Sequence, residues 1–129
     1  MFQKLELTRM AQAMAAHSGA RMGVIAQNVA NADTPGYKAQ DLPDFARIYG
    51  DAGQAAMRAT RPGHLNAAEG SGAALQPRVS AGAAAPNGNS VSLETEMVKS
   101  VEARQSHEMA LAVYRSTSGI IRVSLGRGV

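Results

Sequence analysis

The sequence predicts an all-α fold in which two long terminal helices pair antiparallel, coiled-coil fashion, across a long irregular connection. Three observations carry that reading. Apolar residues recur at helical spacing near both ends, the first periodic stretch is cut off at Thr34-Pro35-Gly36, and residues 39 to 88 lose all periodicity among Gly, Pro and Ala. The expected division is 1–33 as the first helix, 34–88 as turn and connection and 89–129 as the last helix, together one elongated domain.

In the first stretch Leu7, Ala11, Met14, Ser18, Met22, Ile25 and Val29 fall three or four apart. That spacing makes a narrow apolar stripe, the seam of a helix pair, with Ala11 and Ser18 small enough for close approach. Gly19 and Gly23 inside it each cost about 1 kcal/mol against alanine, so the helix needs neighbours.

The stop follows from local sterics. Proline turns Thr34 away from the α conformation, and glycine supplies the positive φ that the third position of a type II turn requires. Asn28 and Asn31 bring short amides to the closing turn, where they can bond carbonyls that the helix leaves unpaired; Tyr37 offers a ring to cover the corner.

Short helices are expected at Asp44 to Tyr49 and at Gly53 to Thr60. From Arg61 to Asn87 the reading is loop, extended or disordered chain, since a strand is hard to sustain among so many Gly and Ala. Asn87-Gly88 then makes a turn. Ser90 or Ser92 can cap a helix whose first turn holds Glu94, Thr95 and Glu96, where the helix dipole favours negative charge.

The last helix is expected from about Leu93 to about Leu125. Its predicted seam is Leu93, Met97, Val101, Gln105, Met109, Ala112, Ser116, Ile120 and Val123, with Lys99, Arg104, Arg115 and Arg122 mostly off it. Both seams are thin. A single pair therefore gathers little stabilisation at about 0.8 kcal/mol per buried CH₂, against an ordering cost of roughly 1 to 2 kcal/mol per residue.

Composition narrows the function. The chain has 129 residues, enough for one domain, with 4% aromatics and no cysteine. A net charge of +3 with dispersed basic residues argues against a nucleic-acid partner. The opening Met1-Phe2-Gln3-Lys4-Leu5-Glu6 has neither a basic n-region nor an apolar core, so no cleaved signal peptide is expected, and no run approaches a membrane span. His17, His64 and His107 are isolated, and no nucleophile, phosphate-loop or zinc signature occurs. Glu94, Glu96, Glu102 and Glu108 read as solvated charge. The expectation is a protein without enzymatic activity, cofactor, metal or small-molecule substrate.

Two islands carry a resemblance. Asn28, Asn31, Asp33, Thr34, Pro35, Gly36 and Tyr37 lie in Asn-Val-Ala-Asn-Ala-Asp-Thr-Pro-Gly-Tyr-Lys, which resembles the signature of the bacterial flagellar axial proteins. Gly88, Asn89, Val91, Leu93 and Glu94 lie in a stretch similar to the one that opens the C-terminal helix in basal-body rod proteins. Thr60 and His64-Leu65 add a weak match. The chain has His107 where the resemblance implies tyrosine, and it lacks the Tyr-Glu-Ala-Asn-like ending of a second small rod subunit, which favours the proximal one.

The resemblance implies a structural subunit of the proximal rod that assembles helically and transmits torque. Its implied partners are itself, other rod proteins, the rod-to-ring junction protein and the flagellar type III export apparatus. Its implied place is the periplasmic rod, without membrane insertion. The two islands become the expected assembly motif. A soluble helical adaptor with a single partner is the alternative.

Overall fold

The computed structural model describes residues 2–54, 75–80 and 82–126. In chain order the elements are α1 (Phe2–Ala30), β1 (Gln40–Asp41), α2 (Phe45–Gln54), β2 (Arg78–Val79) and α3 (Leu93–Ser124). At 1.5 Å per residue α1 and α3 are roughly 43 and 48 Å long, and their mutual packing dominates the fold.

The contacts between the two helices run in opposite senses along them. Asn28 near the end of α1 meets Glu96 at the start of α3, whereas Ala15, a little over three turns earlier, accepts a hydrogen bond from His107 Nδ1 at 3.1 Å. Ala11, Ser18 and Ile25 of α1 are buried, as are Glu96, Ala103, Ala110 and Thr117 of α3. The α3 set recurs every seven residues, and its two alanines let the helix axes approach closely.

This face differs from the seam read from hydropathy. On α3, Leu93, Met97, Val101, Met109, Ile120 and Val123 are exposed, with Gln105, Ala112 and Ser116 among them. At about 100° per residue, Val101 points roughly 160° away from Ala103, so the large apolar stripe turns its back on α1. On α1, Met14 and Met22 are half-buried, while Leu7 and Val29 are exposed. Ser18 consequently faces the stretch that holds Ala103 and Ser106, with which it lines a groove, and not Ser116.

Ser92 caps α3, its hydroxyl accepting from Thr95 N–H at 3.4 Å, with Glu94 and Glu96 in the first turn. At the other end Gly126 takes a φ of 70° and donates to Val123 O, a glycine stop of the left-handed kind.

Between the long helices the described residues hold one short helix, α2, at the place of the first one expected. It begins at Phe45 and continues to Gln54, beyond the predicted end at Tyr49; the rest of the second, residues 55 to 60, lies outside the described residues, as do Thr60 and His64-Leu65. Phe45 stacks on Tyr49 at 5.4 Å and on His17 of α1 at 5.7 Å. His17 Nε2 donates to Pro43 O at 2.8 Å, which explains a buried histidine.

A small strand pair also forms where none was expected. β1 and β2 are antiparallel, Gln40 opposite Val79 and Asp41 opposite Arg78, and Ser80 N–H extends the ladder to Ala39 O at 2.8 Å. Two residues per strand suffice because β1 is held from the other side by α1.

Candidate assembly junction

The two motif islands, more than fifty residues apart in sequence, meet at the end of α1. The helix closes with Asn31 N–H bonded to Gln27 O and Asn28 O, and Asn31 Nδ2 returns to Gln27 O at 2.8 Å. Thr34-Pro35-Gly36-Tyr37 then reverses the chain. Tyr37 N–H donates to Thr34 O at 3.3 Å and Gly36 has a φ of 74°, the geometry in which only glycine is unstrained. Asp33, Thr34 and Pro35 are exposed, and Tyr37 is half-buried.

The remaining helix-end carbonyls are taken by the second island. Asn89 Nδ2 lies 2.9, 2.7 and 2.9 Å from the carbonyl oxygens of Asn31, Ala32 and Thr34, while its Oδ1 accepts Val91 N–H at 2.8 Å. A single buried amide thus caps a helix from a distant segment. Gly88 lies beside Gly36, where a Cβ would make an ordinary contact at 3.5 Å from the Gly36 Cα, and its φ of 79° is what favours glycine. Gly36 N–H donates to Asn87 O, Ser90 N–H to Tyr37 O and Lys38 Nζ to Gly88 O, which laces the islands together.

Asn28 does something other than cap its own helix. Its Nδ2 donates to Gln40 O at 2.7 Å and Glu96 Oε2 at 2.9 Å, and its Oδ1 accepts from Gln40 N–H at 3.0 Å and Tyr37 OH at 3.4 Å. All four hydrogen-bonding positions of the amide are filled, as burial demands. Through it α1, β1 and α3 share one polar centre.

That centre continues into ion pairs. Glu96 Oε1 meets Lys99 Nζ at 3.0 Å, Lys99 meets Asp41 Oδ2 at 3.3 Å, and Asp41 accepts a two-point contact from Arg21 at 3.0 and 3.3 Å. Glu96 is therefore not solvated charge, and Lys99 lies inward. Burial pushes the Asp41 carboxyl up, but the hydrogen bond and charge of Arg21, with Lys99, hold it below its ordinary value. Burial likewise pulls Lys99 down and is outweighed by Glu96 and Asp41, so its ammonium is held above its usual range. The hydrogen bond that Arg21 donates to Asp41 raises the Arg21 pKa against burial. Among the described residues no buried side-chain polar atom lacks a partner.

Sequence reasoning missed Arg21, Asp41, Glu96 and Lys99 as members of the junction. The available signal was the seven-residue step from Glu96 through Ala103 and Ala110 to Thr117, which marks an inner face by smallness. Of the other motif residues Val91 is half-buried, and Leu93 and Glu94 are exposed at the head of α3.

The buried polar side chains of the junction are paired, no group of three or more potential metal ligands occurs among the described residues, and no described helix is long and apolar enough to cross a membrane. Residues 10–38, from mid-α1 through the turn, match the family model described as flagella basal body rod protein. The chain is also 28% identical over 129 residues to the flagellar basal body rod protein FlgB of Agrobacterium fabrum, covering 97% of this chain and 96% of that one. The chain is thus similar to the flagellar basal-body rod proteins, FlgB among them.

Proposed function

We propose that this rod subunit assembles through the outer faces of its two long helices, which pair within the chain as an antiparallel, coiled-coil-like unit. The observation that supports this is the exposed stripe on α3, with Met97 68%, Val101 67% and Val123 70% exposed. Leu93, Val98, Met109 and Ile120, all exposed, extend the stripe along the helix into a contiguous apolar face of the kind that marks an interaction surface. Such a face on a lone chain is stabilised by being covered. Repetition of one head-to-tail contact gives an open helical assembly, as a shaft requires.

In this reading the junction of Asn28, Asn31, Asp33, Thr34, Pro35, Gly36, Tyr37, Gly88, Asn89, Val91, Leu93 and Glu94 sets the angle at which the connection leaves the helix pair. The subunit sits in the periplasmic proximal rod, carries torque without catalysis, and reaches its place through the flagellar type III apparatus without a cleaved signal. Its axial contacts include other rod proteins and the junction protein to the ring. A deletion strain tests the assignment: basal bodies with rings and no rod are expected, restored by the wild-type chain. Complete rods in that strain would overturn it.

A further inference from the structure

The turn that delivers Asn89 contains the chain's one Asn-Gly step, Asn87-Gly88. Asparagine before glycine is chemically exposed, because no Cβ shields the following nitrogen. The deprotonated Gly88 nitrogen attacks Asn87 Cγ, the side-chain nitrogen leaves as ammonia, and the resulting succinimide adds water and opens to aspartate or isoaspartate. One water enters and one ammonia leaves.

In the folded chain each participant is engaged elsewhere. Gly88 N–H donates to Ala85 O at 2.8 Å, Asn87 Oδ1 accepts Asn89 N–H at 3.0 Å, and Asn87 O accepts Gly36 N–H at 3.0 Å. Gly88 also lies beside Gly36. Attack requires the Gly88 nitrogen to leave Ala85 O and the Asn87 side chain to leave Asn89 N–H; both bonds lie within the turn, which the bond from Gly36 N–H to Asn87 O ties to the end of α1.

We propose that Asn87-Gly88 is a self-modification site guarded by the closed junction, so that it marks chains that remain open. The mark works in one direction. Isoaspartate inserts a methylene into the main chain and a charge beside Asn89, within the turn that must fit against Gly36. A marked chain cannot restore the Asn89 cap in its present register and stays open.

The test incubates the full chain in mildly alkaline buffer, with and without urea, and follows the Asn87 peptide by mass spectrometry and by isoaspartyl methyltransferase labelling. Deamidation in native buffer is expected to be about tenfold or more slower than in urea, the protection of a closed local structure. Asn89→Ala, which keeps the Asn-Gly step but removes the cap, is expected to react in native buffer at close to the urea rate. Gly88→Ala is expected to suppress the reaction in urea, where the fold plays no part. Equal rates for the wild type with and without urea, an Asn89→Ala chain no faster than wild type, or an unreactive Asn87 in urea each overturns the proposal.

Discussion

Asn28 Nδ2 lies 2.9 Å from Glu96 Oε2, and both side chains are fully buried although 68 residues separate them. This bond joins the last turn of α1 to the first turn of α3 at the level of β1. Asn28→Ala would leave the Glu96 carboxylate short of a donor and both Gln40 main-chain groups unpaired in a dry site. The expected cost is about 2 to 4 kcal/mol, read as lost helicity by circular dichroism and as faster amide exchange at Gln40. Glu96→Gln keeps the shape but sets an amide against Lys99 or Asn28, and is expected to fall between Asn28→Ala and the wild type.

The pH dependence follows from Asp41 and Lys99. The folded pKa of Asp41 is depressed, so its contribution is present above the ordinary aspartate value of about 3.9 and is lost as pH falls through the lower folded value. Lys99 is raised, so its contribution is present below about 10.4 and is lost as pH rises through the higher folded value. Helicity is therefore expected to be flat between these limits. Asp41→Asn is expected to lower it across the neutral range and to flatten the acid limb, which titration followed by circular dichroism checks.

Gly36 and Asn89 make the turn a matter of geometry. Gly36→Val forces a β-branched residue to a φ of 74°, at a cost of about 1 to 3 kcal/mol, and redirects the chain toward β1. Asn89→Ala removes the cap on three carbonyls, at a cost of about 1 to 3 kcal/mol. Both variants are expected to be synthesised yet non-motile on soft agar. Asn89→Asp, which keeps the acceptor for Val91 but loses the donor, should behave like Asn89→Ala.

The two long helices and the stop at Thr34-Pro35-Gly36 were legible because each follows from local rules: spacing, proline sterics and the φ of glycine. The partner of each helix face was not. Hydropathy assigns the largest apolar residues to the inner seam, which is right when a chain buries its best residues against itself. Here Ala103 and Ala110 do the inner packing and Met97, Val101 and Ile120 point outward. The ion pairs were hidden for a related reason, since Glu96 and Lys99 look like surface charges until Asn28 and Asp41 arrive from distant segments. Asn89 read as part of the island that opens the last helix, but its side chain caps the end of the first, near residue 30.

In the proposed assembly α3 turns one face to α1 and the opposite face to neighbouring subunits, and paired substitutions two residues apart separate them. Val101→Glu puts a charge on the exposed stripe and is expected to change the free chain's stability by no more than about 0.5 kcal/mol. Ala103→Glu forces a charge into the helix contact and is expected to destroy helicity outright. The deciding measurement is electron microscopy of basal bodies from a strain whose only copy carries Val101→Glu, alongside circular dichroism of the purified variant. Wild-type helicity with rods absent is expected; complete rods and normal motility from that variant would rule out the outer face as the assembly surface.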